Sequence, residues 1–146
     1  MAAIDKGREP AVDPGRIDWQ LLRDRAVAAM RQAYCPYSGY AVGAAALTSS
    51  GQIVSGCNIE NASLGLTLCA ECSLISDLFR LEAGKLLAFV CVDGQGQLLL
   101  PCGRCRQLLS EHSLPGMLLA GPAGNTPLEH LLPQAFGPED LKSSAG

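Results

Sequence analysis

Two Cys-x-x-Cys pairs, Cys69/Cys72 and Cys102/Cys105, constrain this chain more than any other feature of its sequence. Thiolates are good ligands for zinc, which favours four ligands in a tetrahedron. The chain has seven cysteines in all, and an odd number without a secretion signal argues against a framework of disulfides. Because clustered thiols in a reducing compartment more often bind metal, the two pairs predict a zinc site.

The fourth ligand of this site is either Cys72 or water. A Cys-x-x-Cys at a helix start places its sulfurs near backbone N–H groups and the positive end of the helix dipole. Cys102 and Cys105 suit this arrangement, and Cys69 supplies a third sulfur. A fourth thiolate from Cys72 would close the site and make it structural, whereas water would make it catalytic. Two features favour water: the carboxylate of Glu71 between the cysteines, and the 29 residues (73–101) that separate the pairs, a longer spacing than is common in zinc ribbons.

Composition narrows the classes of substrate and location. The 146 residues, 48% of them hydrophobic, suit one compact folded domain. The net charge is −3 and the Lys and Arg residues are scattered, so we expect a small-molecule substrate and no nucleic-acid partner. The N-terminus lacks the apolar core of a signal peptide, and no window reaches the roughly 18 apolar residues of a membrane span. We therefore expect a soluble, cytoplasmic protein with no membrane partner.

Hydrophobic spacing predicts an α/β domain with a mixed sheet between helix layers. We expect residues 1–16 to form a flexible arm, 17–141 a single domain and 142–146 a C-terminal tail. The predicted elements are a helix over 19–33, a β-hairpin over 42–48 and 52–57, a helix over 68–83, a strand buried on both faces over 86–92, a helix over 104–112, a short strand over 117–120 and a helical turn over 128–132.

Two motifs carry a resemblance to a known family. Cys69-Ala70-Glu71, followed some thirty residues later by Pro101-Cys102-Gly103-Arg104-Cys105, resembles the signature of the cytidine deaminase superfamily. Four further segments, spread over a match that runs from about residue 18 to 141, are similar to the small homotetrameric cytidine deaminases: residues 34–38, 42–45, 56–61 and 136–141.

The resemblance implies a fold and a reaction. The fold is a three-layer α/β/α arrangement with a central mixed five-stranded sheet. One Zn²⁺ per subunit, held by Cys69, Cys102 and Cys105, gives a hydroxide that attacks C4 of the cytosine ring. Glu71 takes the water proton, passes it to ring N3, and later protonates the departing amine. The products from cytidine and deoxycytidine are uridine and deoxyuridine, with ammonia, a reaction of pyrimidine salvage.

The same resemblance implies substrate contacts. Asn58 and Glu60 match the positions that hold the ribose hydroxyls, and the Ala70 backbone lies where the family contacts the pyrimidine. Tyr40 occupies a position where an aromatic ring packs against the base. Phe136 matches a residue that reaches the site of a neighbouring subunit in a homotetramer. Taken alone, an aromatic residue such as Tyr40 is more often ordinary core, and a local core anchor explains Phe136 nearly as well.

The chain departs from the family at two positions. Many relatives carry Arg after the catalytic Glu, where its charge offsets the thiolates; here that position is Cys72. Three explanations of Cys72 are open. It is a neutral small residue beside the metal, or the helix N-termini with Arg104 or Arg106 supply the positive charge of the missing arginine. In the third, Cys72 itself ligates zinc and closes the site. The second departure is Leu64, where many relatives have Tyr near the subunit junction.

Three other functions compete with this interpretation. Blasticidin S deaminases share the cysteine motifs and the size of the chain, but they are less similar over residues 58–61. A non-enzymatic module with four zinc-binding cysteines would need no Glu71. Editing of polynucleotides is disfavoured by the acidic charge balance.

Overall fold

The computed structural model of the protein describes residues 14–142. Residues 1–13 of the expected N-terminal arm and residues 143–146 of the expected tail lie outside the described residues, and Pro14–Arg16 form a single 3₁₀ turn. The elements are α1 (Trp19–Met30), β1 (Val42–Thr48), β2 (Ile53–Cys57), a 3₁₀ turn (Leu64–Leu66), α2 (Ala70–Arg80), β3 (Leu86–Asp93), β4 (Leu98–Leu99), α3 (Gly103–Glu111), β5 (Ser113–Gly121), β6 (Gly124–Pro127), α4 (Leu128–Leu131) and α5 (Pro138–Lys142).

A single mixed sheet forms the centre of the molecule. Its strands follow the order β2-β1-β3-β5-β6, and the two-residue β4 pairs with the end of β3 as a sixth strand. Within residues 14–142, the pairing of β3 with β5 is parallel and the other strand pairings of this sheet are antiparallel. The predicted mixed sheet is confirmed; its main path has five strands, of which β6 was not among the predicted elements, and β4 makes a sixth. β4 escaped prediction because two residues are too short for a periodic signal.

Helices cover both faces of the sheet. Alternate residues of β3 belong to two separate clusters: Ala88 and Val90 pack with Leu22 and Ala26 of α1, whereas Phe89 packs with the other cluster. That second cluster joins β3 to the helices on the opposite face through Leu74 and Leu78 of α2, Leu109 of α3 and Leu128 of α4. β3 is therefore buried on both faces, as predicted, and the domain has three layers.

Long-range hydrogen bonds end α1 earlier than its apolar spacing predicts. The helix starts at the predicted cap, where Asp18 Oδ1 accepts the N–H of Leu21 at 2.9 Å. It ends at Met30, since the backbone of Tyr34 pairs with the segment after β2. Tyr34 donates to the Asn58 carbonyl at 3.0 Å and accepts from the Glu60 N–H at 2.8 Å. This pairing holds residues 58–60 beside the start of β1.

Side chains of α2 cover the free edge of β2. The N–H of Ser55 donates to Asp77 Oδ2 at 3.2 Å, and the N–H of Cys57 donates to Ser73 Oγ at 2.9 Å. Edge strands expose unpaired backbone groups, and here two of these donors are bonded to α2. The same bonds fix α2 in place along the sheet.

No helix within residues 14–142 is long and apolar enough to span a membrane.

Gly56 is predicted to be essential for the packing of α2 on β2. A Cβ at this position would overlap the Ser73 side chain and backbone atoms of Leu74 and Ala70. Since backbone cannot move aside as a side chain does, Gly56→Ala should lower the free energy of unfolding by about 1–3 kcal/mol. Gly65→Ala is the control, because nothing lies within 4 Å of a Cβ there. Urea unfolding of both variants measures the difference; equal stabilities would contradict the packing described.

Candidate metal centre

Three cysteine sulfurs come together where α2 and α3 begin. The Sγ atoms of Cys69, Cys102 and Cys105 all lie within 4.8 Å of one another. Cys69 is the N-cap residue of α2 and Cys102 that of α3, and both have extended backbone. Cys105 lies one turn further along α3 and is buried. Tetrahedral zinc with Zn–S bonds of about 2.3 Å needs sulfurs about 3.8 Å apart, so small shifts fit these three ligands to zinc.

The electrostatics of the three thiols also fit a cation. Burial acts to raise the pKa of Cys102, but hydrogen bonds from Cys105 and from the Arg104 backbone N–H hold that pKa below its ordinary value. Burial and the neighbouring thiol and carboxylate groups raise the pKa of Cys69 and of Cys105, although a hydrogen bond with Cys105 partly offsets the rise at Cys69. Thiols crowded in this way deprotonate readily once a divalent cation lies among them. The donor set is that of a zinc site with three thiolates.

Cys72 does not join the cluster, although it completes the second Cys-x-x-Cys pair. Within the described residues, the metal-ligand group contains only the other three cysteines. The Cys72 sulfur instead accepts a hydrogen bond from Arg104 Nη1 at 3.6 Å. Arg106 is occupied elsewhere, since it donates to the carbonyl oxygens of Pro101 and Leu131. The geometry therefore favours Cys72 as a neighbour outside the ligand set, with Arg104 as the nearby positive charge.

Glu71 lies beside the thiol cluster and is almost completely buried. It occupies the first turn of α2 and is 4% exposed. Its Oε1 accepts a hydrogen bond from the thiol of Cys91, with the sulfur at 3.7 Å. A buried carboxylate two residues from a zinc ligand is placed to exchange protons with a group bound at the metal.

A cavity of about 200 Å³ opens in front of Glu71 and the cluster. Five of the predicted site residues line it: Asn58, Cys69, Ala70, Glu71 and Cys102. Its remaining walls come from residues to which the sequence analysis gave no role in the site: Val42, Thr67, Cys91, Leu99, Leu100 and Pro101. The alternation of β3 places Cys91 on the same face as Phe89, toward α2, and this was the one available signal for it.

Asn58 and Glu60 both bind the loop that precedes β1. Asn58 Oδ1 accepts the Val42 N–H at 2.9 Å, and its Nδ2 donates to the Tyr40 carbonyl at 2.8 Å. Glu60 Oε1 accepts the N–H groups of Tyr37 and Ser38 at 3.0 and 3.1 Å. Burial acts to raise the pKa of Glu60, but these hydrogen bonds outweigh it and leave that pKa lowered. The carboxylate is therefore ionised at neutral pH.

Three of the predicted substrate contacts do not line the cavity of a single chain. Glu60 is buried and bonded to the loop that precedes β1. Tyr40 and Phe136 are 54% and 59% exposed, and the Phe136 carbonyl accepts a hydrogen bond from Gln107. The described chain thus brings the metal ligands, Glu71, Ala70 and Asn58 together and leaves both aromatic rings at the surface.

The fold and the metal centre agree with comparisons to known proteins. Residues 18–119 match the family described as the cytidine and deoxycytidylate deaminase zinc-binding region. The chain is 53% identical over 125 residues to a cytidine deaminase of Mycobacterium tuberculosis (strain ATCC 25618 / H37Rv), covering 86% of this chain and 94% of that protein. It is 44% identical over 126 residues to a cytidine deaminase of Sporosarcina psychrophila, covering 80% and 90%.

Solved structures give the same result. The crystal structure of cytidine deaminase from Mycobacterium tuberculosis superposes with a TM-score of 0.80 at 53% identity, covering 83% of this chain and 98% of that chain. The fold and site define a zinc-binding deaminase. The chain belongs to the cytidine and deoxycytidylate deaminase family, which confirms the family, the zinc cofactor and the enzymatic class expected from the sequence motifs.

Substitution of single cysteines is predicted to distinguish the zinc ligands from the neighbouring thiol of Cys72. Cys105→Ala should abolish stoichiometric zinc binding, because it takes one of three thiolates from the cluster. Cys72→Ala should keep one zinc per chain, since its sulfur lies outside the cluster. Metal analysis after gel filtration measures both variants, and X-ray absorption gives the number of sulfurs. Four sulfurs around zinc in the unmodified protein, or loss of zinc from Cys72→Ala, would contradict this ligand set.

Proposed function

We propose that this protein hydrolyses cytidine and deoxycytidine to uridine and deoxyuridine with release of ammonia. One observation carries the proposal: a buried carboxylate, Glu71, shares a cavity with a cluster of three thiols, and a fourth cysteine is held outside that cluster. A closed structural site would have four ligands and would need neither the carboxylate nor the cavity. The relatives that bear the name cytidine deaminase support the same activity.

Cys69, Cys102 and Cys105 would hold the zinc, which when bound supplies Lewis-acid activation of water near neutral pH. Glu71 accepts the proton of the attacking water and delivers it to ring N3 as the C4–O bond forms. It then takes the second proton from the hydroxyl on C4 and delivers it to the amine as the C4–N bond breaks and the C4 carbonyl forms, so water is consumed and ammonia leaves. Its burial excludes bulk water, which strengthens its interactions with the reacting groups.

We also propose that Asn58 and Glu60 hold the sugar hydroxyls, that the Ala70 backbone contacts the pyrimidine, and that Tyr40 packs against the base. An amide offers both donors and acceptors, and an ionised carboxylate accepts from hydroxyls, so the pair suits a diol. Asn58 lines the cavity, and Glu60 is fixed to the adjoining loop. Their bonds to that loop also hold it at the cavity rim.

The enzyme is proposed to act as a homotetramer in which Phe136 reaches the site of a neighbouring subunit. The cavity of about 200 Å³ is smaller than the roughly 300–1,000 Å³ common for ligand sites, which suits a wall supplied by a second copy. Exposed apolar side chains offer a surface for that contact. They are Tyr34, Tyr37, Tyr40, Leu64, Leu66 and Phe136.

Residues 17–141 are proposed to form the catalytic domain, with no nucleic-acid or membrane partner. Location in the cytoplasm is supported by the seven cysteines, all of which are free thiols. Metal-binding thiols of this kind persist in a reducing compartment. Blasticidin S deamination and a purely structural zinc module are the two alternatives that the experiment below separates.

Glu71→Gln removes the general acid–base group and is predicted to lower cytidine turnover by roughly 1,000-fold or more. Zinc should stay bound. The amide keeps the shape of the side chain but cannot carry the proton. Loss of cytidine absorbance measures turnover, and metal analysis measures zinc. Glu111→Gln, an exposed substitution at the end of α3, is the control and should be fully active. The proposed function would be overturned if the protein deaminated blasticidin S but not cytidine, or if Glu71→Gln were fully active.

The subunit arrangement makes a separate prediction. Light scattering should give four times the mass of the chain, and Phe136→Ala should raise the KM for cytidine about tenfold by removing one wall of a neighbouring site. Phe79→Ala is the matched control, since that ring is 63% exposed on α2 and packs edge-on against His112. An active monomer with an unchanged KM in Phe136→Ala would contradict the shared site.

A further inference from the structure

Cys91 lies on a strand that is paired on both sides, and it lines the cavity of the candidate active site. It sits near the end of β3, paired with Ala44 of β1 on one side and with Leu99 of β4 on the other. It is 2% exposed and lines the cavity in front of Glu71. Strands on both sides leave its backbone little freedom, so its side chain is a fixed point in the cavity wall.

The thiol of Cys91 donates a hydrogen bond to the carboxylate of Glu71. Sγ lies 3.7 Å from Oε1, and both groups are buried. Cys91 stands outside the metal-ligand group found within the described residues. It therefore has no share in holding zinc, and the steps proposed for deamination do not use it. Its polar contact is directed at the residue that moves the protons.

Zinc binding leaves Cys91 as the thiol that can still donate to Glu71. Cys69, Cys102 and Cys105 would bind the metal as thiolates, and a thiolate cannot donate a hydrogen bond. Burial, followed by the charge of Glu71, raises the pKa of Cys91 well above its ordinary range. Cys91 thus retains its proton at neutral pH.

A proton shuttle needs a carboxylate whose position stays fixed. Glu71 has three rotatable side-chain bonds, and it must meet the attacking water, the ring nitrogen and the leaving amine from one place. Misplacement by about 1 Å is enough to cost much of the rate. A buried donor on a strand opposes such rotation, whereas an apolar side chain of the same size would only fill space.

We propose that Cys91 is a positioning residue for the general acid–base, and that its S–H anchors Oε1 of Glu71 while protons are transferred. The proposal rests on the proposed deaminase function. The competing role is simple packing, because cysteine is also a common small core residue. The two roles differ in what they require: positioning needs a donor, and packing needs volume.

Three substitutions separate these roles. Cys91→Ala removes the donor with a loss of volume and Cys91→Val removes it with a gain of volume, and both should lower kcat for cytidine roughly tenfold with KM changed less than about twofold. Cys91→Ser keeps a donor and should recover at least about half of the wild-type kcat. All three should bind one zinc per chain. Full activity of Cys91→Val, or a Cys91→Ser variant as slow as Cys91→Val, would overturn the proposal.

Infrared spectroscopy tests the contact without any turnover. The S–H stretching band that disappears in Cys91→Val is the band of Cys91, and in the zinc-loaded protein it should lie at the lower frequency of a hydrogen-bonded thiol. Glu71→Ala should move this band to higher frequency. An unshifted band would overturn the contact. If the wild-type protein fails to deaminate cytidine while the band still shifts, the proposed function fails and the Cys91–Glu71 contact stands.

Discussion

The candidate site depends on two helices that begin side by side at one end of the sheet. A cysteine occupies the N-cap of each, with extended backbone and no side-chain cap bond, so both sulfurs stay free for a metal. Helix N-termini offer N–H groups and positive dipole ends to the accumulating negative charge. Zinc shared by α2 and α3 would add a link between two elements that pack on the same face of the sheet. Metal binding and the packing of this layer are thus coupled.

The spacing of Cys69 and Glu71 converts this metal site into a reactive one. Burying a carboxylate is costly unless it has partners, and Glu71 obtains them from its place in the first helical turn and from a thiol on the sheet. A helix start holds the ligand and the carboxylate on one rigid element. Their relative position is therefore insensitive to movement of the surrounding loops.

Local patterns made the ligands, Glu71 and most helices predictable from the sequence. The long-range contacts were not predictable in the same way. The early end of α1 depends on hydrogen bonds between Tyr34 and residues 58–60. The hydrogen-bond partner of Cys72 is Arg104, which lies 32 residues away in the sequence. The contact of Cys91 with Glu71 depends on how β3 packs against α2. The predicted roles of Tyr40 and Phe136 depend on contacts with a second chain. The sequence of one chain predicts such contacts only through resemblance to a family.

The bonds from Ser73 and Asp77 to the edge of β2 affect how copies of this protein can associate. Sheets often extend by adding a strand of another chain to an open edge. At β2 two of the backbone donors that such a strand would need already have partners in α2. Assembly through a continuous intermolecular sheet is disfavoured at this edge. At this edge, copies would have to meet through side-chain surfaces.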